Sequence, residues 1–164
     1  MKKLLFVLIM LLGLISLASC GEAEGEKNVL VVGMECSYQP FNWTEHTKTD
    51  SNVEISNLVD SYAAGYDVEV AKIIAEDLGM ELEIYALNWK ALIPNLLTSQ
   101  IDIIIAGMSD TETRRETIDF TDGYYKSREV MVVKRDGPYS GAKKLSDMSG
   151  AVVAGQMGTI FAEL

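Results

Sequence analysis

The apolar positions change period several times along the chain, and each change predicts an element. Asn28–Gly33 (NVLVVG) is a short, nearly continuous apolar run rich in β-branched residues, which predicts a strand. After Asp67, apolar Val70, Ile73, Ile74 and Leu78 recur at helical spacing until Gly79, a helix stop. Asp67 itself is expected to cap that helix at its N-terminus. Glu81–Leu87 (ELEIYAL) alternates polar and apolar residues, the period of a second strand. Ala91, Leu92, Ile93, Leu96 and Leu97 then form a helical stripe. Pro94 is tolerated only close to a helix start, so this helix is expected to begin near Asn88 or Trp89. Ile101, Ile103, Ile104 and Ile105, interrupted only by Asp102, predict a third strand, buried on both faces of a parallel sheet. Strand–helix–strand–helix–strand is the order of a doubly wound α/β fold.

Beyond that strand the pattern turns to chemistry. Ala106, Gly107, Met108 and Ser109 are small or flexible enough to let backbone approach a ligand. Thr111 is a hydroxyl N-cap with Glu112 in the first helical turn, and Arg114 and Arg115 follow. A strand end, a small-residue loop, a helix start and an arginine thus converge, at the place where open α/β sheets take ligands. Free backbone N–H groups and a guanidinium suit a carboxylate or a phosphate. Further on, Glu129–Lys134 (EVMVVK) predicts another strand, leading through Arg135–Pro138. Ala151–Ala154 predicts one more. The polar stretch Thr44–Ala64 is weakly patterned and reads as a long connecting loop, functional or mobile.

Charge and leader narrow the picture. The formal net charge is −10, which excludes the basic surface that nucleic-acid binding needs and electrostatic attachment to an anionic membrane. Lys2 and Lys3 precede an apolar run from Leu4 to Ala18, a charged n-region and an h-region too short to span a bilayer comfortably. It ends in Leu17, Ala18, Ser19, Cys20 and Gly21, which resembles the bacterial lipobox, in which the cysteine is diacylated and becomes the mature N-terminus. Two acyl chains give stable anchoring where one would not. Residues 21–27 are then a polar tether. Two cysteines are too few for a disulfide framework, and Cys36 reads as a partly buried free thiol. His46, the only histidine, stands in no metal-ligand cluster, so no metal and no cofactor is expected.

The motifs carry a specific likeness. Asp102, Ile103, Ser109, Thr111 and Arg114, followed by Asp119, Phe120, Thr121 and Tyr124, resemble the pattern of extracytoplasmic solute-binding proteins, family 3, of polar amino-acid ABC transporters. Tyr38–Phe41 (YQPF), Gly65–Asp67 (GYD), Trp89–Leu96 (WKALIPNL), Leu145–Gly150 and Gly155–Thr159 resemble further motifs of the same family. The resemblance covers residues 28–164. It implies a type II periplasmic-binding-protein-like α/β fold of two doubly wound lobes. It implies a first lobe over residues 28–134, including a crossover strand, and a second beginning over 135–164 and left incomplete, so the chain is expected to be a fragment. Arg114 would clamp a ligand α-carboxylate, with Gly107, Ser109 and Thr111 around it. Tyr38 and Tyr66 would flank the ligand side chain, and Gly158 and Thr159, exposed at a second helix start opposite the first, would grip the carboxylate from the far lobe. Gly107 stands where some basic-amino-acid binders have serine. The acid that pairs with the ligand's amino group would lie in the missing part. An amino acid or similar small carboxylate is then the ligand, and the permease and ATPase subunits of an importer are the partners, outside the cell membrane and held to it through Cys20.

Two rival readings accompany this one. One is a fragment without function, because a lobe and a half exposes unfinished sheet edge and apolar surface. The other is an enzyme on the same fold, dehydratase-like; against it, the chain offers no nucleophile–base pair and no GxSxG elbow.

Overall fold

A computed structural model describes residues 28–162; Cys20, the leader and the 21–27 tether lie outside the described residues. Strand β1 (Val29–Met34) is the centre of a three-stranded parallel sheet. Strand β6 (Glu81–Ala86) flanks it on one side and β7 (Ile103–Ile104) on the other. Helix α1 (Tyr66–Leu78) covers one face and α2 (Trp89–Leu97) the other. The alternation of β1 makes this possible. Leu30, Val32 and Met34 point to the α1 side, where they join Val68, Ala71, Ala75 and Ile84 in one cluster. Gly33 points the opposite way; a Cβ there would stand 2.4 Å from the Ile101 side chain and 3.2 Å from that of Leu92, which α2 buries completely. The doubly wound expectation therefore holds for residues 28–106.

Several expectations fail in detail. Helix α1 does not turn Ile73 and Leu78 inward; they are 59% and 57% exposed, while Val68, Ala71 and Ala75 are buried. Small side chains let the helix lie close on the sheet, so its inner face is marked by size more than by bulk. Asp67 does not cap α1. Gly65 precedes the helix at φ +127°, and the first free N–H groups, of Tyr66 and Asp67, donate to the carbonyls of Pro40 and Phe41 at 3.2 and 2.8 Å. Gly79 does end α1, in the left-handed conformation. Pro94 sits inside α2, past its first turn. Strand β7 is a two-residue edge strand: Ile101 and Ile105 are buried, but Ile103 and Ile104 only half so. Asp102, the interruption in that run, accepts the Val31 N–H on its carboxylate at 2.8 Å.

The stretch Thr44–Ala64 is not a bare loop but carries three short strand segments of a second sheet. Strands β2 (Ser37–Tyr38), β3 (Asn42–Glu45), β4 (Val53–Glu54) and β5 (Tyr62–Ala64) pair antiparallel in the order β2-β3-β5-β4. Its turns are held by polar side chains, which periodicity cannot register: Asn52 Nδ2 donates to Glu45 Oε2 and to the Thr47 carbonyl at 2.8 and 2.9 Å. Asn57 bonds both the N–H and the carbonyl of Ala86, and Ile55 bridges to Ile84, so this segment covers the outer edge of β6.

The two later strands do not form. Residues 129–134 and 151–154 carry no ladder, with Val132 and Val152 almost fully exposed. Between them lies an open apolar cavity of about 620 Å³, lined among others by Met131, Val133, Leu145, Met148 and Phe161. A strand needs a neighbour, and neither segment has one among the described residues. Beyond β7 the regular structure is one turn of helix, α3 (Glu112–Arg115), and two 3-10 turns at Leu145–Met148 and Ile160–Ala162. No helix among the described residues is long and apolar enough to cross a membrane.

Candidate functional site

The carboxyl ends of β1 and β7 open onto a rim of aromatic rings. Tyr38, at the end of β2, stacks on Phe41 with centroids 5.1 Å apart. Tyr66, the first residue of α1, meets Phe41 edge-on at 6.4 Å and stacks on Tyr124 at 6.1 Å. Tyr125 closes against both Phe41 and Tyr66, at 5.0 and 5.6 Å. Tyr38 and Tyr66 thus share one aromatic cluster, with Phe41 between them, and each leaves about two-fifths of its surface to solvent.

Gly107 follows the strand end at φ +59°, and a Cβ there would stand 3.2 Å from the Tyr38 ring. Glycine is needed at this point both for its backbone and for the ring beside it. Its N–H donates to the Tyr124 hydroxyl at 3.0 Å. Thr111 caps α3 as expected, its hydroxyl accepting the Arg114 N–H at 3.3 Å. One turn carries Arg114 back over the loop. Its Nη1 donates to the Ser109 carbonyl, its Nη2 donates to the Gly158 carbonyl at 3.1 Å, and its guanidinium carbon lies 5.5 Å from the centre of the Trp89 ring. That distance is within cation–π range. Arg115, next in sequence, turns outward to Asp110 and Phe120. The hydrogen bond from Arg115 holds the exposed Asp110 carboxyl below the usual carboxylate range.

From the far side comes the segment around Gly158. Gln156 Nε2 donates to Glu35 Oε1 at 2.8 Å, and Trp89 Nε1 donates to the Gly158 carbonyl at 2.8 Å. Gly158 and Arg114 therefore do face each other. The expected pair of exposed helix-start amides is not what meets the arginine, however. Gly158, at φ +80°, presents a carbonyl, because a guanidinium has only protons to offer. Thr159 is buried, 6% exposed, with its hydroxyl donating to the Gln156 carbonyl at 2.7 Å.

Under the rim lies a polar chain that the periodicity of the sequence did not single out. Asn42 and Asp67 are fully buried, joined by a 2.7 Å bond from Asn42 Nδ2, and the Tyr124 hydroxyl donates to the other Asp67 oxygen at 2.9 Å. Burial pushes the Asp67 carboxyl up, against the lowering effect of both bonds. Burial and the nearby Asp67 push the Tyr124 hydroxyl up too. Cys36, a free thiol as expected, is buried and pushed up to about 12 by desolvation, so it is inert. Trp89, given only as a candidate helix start and within the WKALIPNL motif, is a further residue missed; its place immediately before an otherwise apolar helical stripe was the available signal. Tyr124 ended a recognised motif but carried no assigned role. Among the described residues no group of three or more His, Cys, Asp or Glu could hold a metal ion.

Relatives place this arrangement. The chain is 33% identical to the arginine-binding extracellular protein ArtP of Bacillus subtilis over 164 residues, 98% of this chain and 58% of that protein. It is 29% identical to the L-cystine-binding protein TcyA of the same organism over 171 residues, 94% of this chain and 58% of that one. The chain thus spans well under two-thirds of the length of either. A crystal structure of the substrate-binding protein of an amino-acid ABC transporter superposes with a TM-score of 0.56 at 38% identity, over 67% of this chain and 45% of that one. An ancestral cationic amino-acid solute-binding protein gives 0.50 at 30%, over 60% and 37%. The fold is accordingly part of the type II periplasmic-binding-protein arrangement. The model of bacterial extracellular solute-binding proteins, family 3, matches residues 30–149, and the chain belongs to that family.

Proposed function

We propose that this chain supplies the ligand-facing first lobe of an amino-acid receptor outside the cell membrane, tethered through diacylated Cys20 and delivering its ligand to a permease driven by an ATPase. The observation that carries the proposal is the position of Arg114. Its guanidinium lies between the Ser109 loop and the Gly158 segment, over the Trp89 ring, at the carboxyl end of the parallel sheet. In this reading the ligand α-carboxylate takes the place of the Gly158 carbonyl on Arg114. The exchange replaces a neutral acceptor by an ionised one, and charge-assisted bonds are shorter and about twice as strong. Such bonds contribute roughly 1.5–3 kcal/mol each, so a few of them, less the cost of ordering, reach the ~8 kcal/mol of a micromolar complex. The Ser109 and Thr111 region positions the arginine. Gly107 leaves room for Tyr38, and Tyr38 and Tyr66 line the side-chain end of the site. The Gly158 segment closes it from the second lobe.

The relatives' ligands, arginine and cystine, make amino acids the class to test. Calorimetry of the chain with L-arginine, L-histidine and L-cystine should give saturable binding of at least one. Arg114→Ala should reduce that binding more than about a hundredfold, the loss of a charged pair of ~3 kcal/mol, while the urea transition stays in place. Unchanged affinity in Arg114→Ala would remove the arginine from the site and the reading with it. A second reading is catalytic. One similar solved structure, at 30% identity and TM-score 0.50, is an ancestral amino-acid-binding protein described as a precursor of cyclohexadienyl dehydratase. Multiple turnovers of a cyclohexadienyl acid, in place of stoichiometric capture of an amino acid, would favour it.

A further inference from the structure

We infer that Tyr124 is a positioning residue whose hydroxyl fixes the Gly107 loop against the aromatic rim. The inference rests on the reading of the rim as a ligand site, and its physical basis is a run of four hydrogen bonds in series. The Cys36 N–H donates to Asn42 Oδ1 at 2.8 Å, and Asn42 Nδ2 donates to Asp67 Oδ2 at 2.7 Å. The Tyr124 hydroxyl donates to Asp67 Oδ1 at 2.9 Å and accepts the Gly107 N–H at 3.0 Å.

The proton directions are set by the two ends. The amides of Cys36 and Gly107 can only donate, and a carboxylate at position 67 can only accept. Asn42 must then present its oxygen to Cys36 and its NH₂ to Asp67. Tyr124 must turn its proton toward Asp67 and its lone pair toward Gly107. Asn42 and Asp67 are 0% exposed, so water does not compete for their bonds. Each link is the least costly partner available to the next, and breaking one leaves a buried polar group unpaired.

The links coincide with the site. Cys36 lies two residues before Tyr38, Asp67 directly follows Tyr66, and Gly107 is itself at the strand end. The ring of Tyr124 also stacks on Tyr66, whose hydroxyl donates to the Tyr124 carbonyl at 3.4 Å. Four segments distant in sequence are thereby held in one register by a single polar chain. The apolar contacts that fasten α1 to the sheet, through Val68, Ala71 and Ala75, lie elsewhere on the helix and do not depend on it. One consequence concerns the ligand. The Gly107 N–H is already committed to Tyr124, so the anion is met by Arg114 and not by that amide.

Tyr124→Phe keeps the ring stack and removes only the hydroxyl. In the ligand-free chain, hydrogen exchange followed by NMR should find the Gly107 amide exchanging at least about tenfold faster in the variant, the loss expected for one hydrogen bond, with the Val32 and Ile84 amides accelerated by less. Whichever of L-arginine, L-histidine and L-cystine binds the unaltered chain should then bind about tenfold more weakly to Tyr124→Phe, with the melting temperature lowered only by the few degrees that one lost hydrogen bond accounts for. An unchanged Gly107 exchange rate overturns the inference, as does faster exchange with full affinity. Acceleration of Val32 and Ile84 as large as that of Gly107 also overturns it, by making the role merely structural. If none of the three amino acids binds the unaltered chain, the amino-acid receptor reading falls, and the exchange rate of Gly107 still decides whether Tyr124 holds the loop.

Discussion

Two short stretches of this chain are almost the same peptide and end in opposite states. Val29–Leu30–Val31–Val32 is the central strand of the sheet, and Val130–Met131–Val132–Val133 is no strand at all. Val32 is 0% exposed and Val132 is 91% exposed. β-Propensity is the same in both, so it decides neither. What differs is company. The first run has β6 and β7 on its flanks, and α1 and α2 on its faces. The second has an open apolar cavity and no ladder partner among the described residues. Fully burying a valine is worth roughly 1.5–3 kcal/mol, and that gain exists only where neighbours supply the burial. Among the described residues, every buried apolar side chain lies at or before Ala106. The later segment is fastened instead by a few polar bonds, Trp89 and Arg114 to Gly158 and Gln156 to Glu35.

The contrast can be broken most forcibly at glycine. A Cβ on Gly65, at φ +127°, would stand 2.3 Å from the Phe41 carbonyl oxygen, a backbone atom that no side-chain rotation can move aside. Gly141 has nothing within 4 Å of its virtual Cβ. Gly65→Ala should cost about 4 kcal/mol or more, and Gly141→Ala less than about 0.5 kcal/mol. Urea unfolding followed by circular dichroism measures both; equal midpoints would mean that the helix start and the later segment are equally yielding. Next in size is a pair of side-chain truncations. Leu92 is 0% exposed under α2 and Val152 is fully exposed. Leu92→Ala should cost about 3 kcal/mol and lower the urea midpoint by more than about 1 M, whereas Val152→Ala should leave it where it was. A comparable loss at Val152 would show that the later segment has a packed core.

The same contrast explains what could be read from the sequence. Elements that carry their own instructions were legible: the β-branched run of β1, the alternation of β6, the glycine that ends α1, the hydroxyl that caps α3. Elements defined by a partner were not. The 129–134 and 151–154 runs looked like strands because composition cannot say whether a neighbour exists. The small antiparallel sheet escaped for the converse reason: Asn52, Asn57 and backbone pairing build it with little apolar periodicity. Asp67 looked like a cap because it stands at a helix start, where acids are favoured. The carbonyls of Pro40 and Phe41 had already taken the N–H groups, leaving its carboxylate for Asn42 and Tyr124. In the candidate site, Arg114, Tyr38, Tyr66 and Gly107 were picked out by motif. Trp89 stood at a helix start and within a motif with no role assigned to it, and the carbonyl of Gly158 belongs to a backbone conformation that residue type leaves open.

The smallest effect marks where the well-packed region ends. The Tyr124 hydroxyl reaches from the irregular part of the chain to the buried Asp67, whose carboxyl burial pushes above its ordinary value. The native state then holds that proton more tightly than the unfolded chain does. This group's contribution to stability is fully present below the ordinary carboxylate pKa and is lost as pH rises through the raised folded value. Asp67→Asn cannot titrate, so the stability difference between the unaltered chain and this variant should move against the unaltered chain as pH rises across that window. A constant offset between the two would reflect only the altered bond to Asn42. Tyr124→Phe removes one of the two bonds that hold the Asp67 carboxyl down, so in that background the decline should extend to higher pH. Urea midpoints at closely spaced pH values measure all three. If Tyr124→Phe leaves the pH dependence as it was, the hydroxyl does not reach Asp67 in solution, and the boundary of the packed region lies before Tyr124.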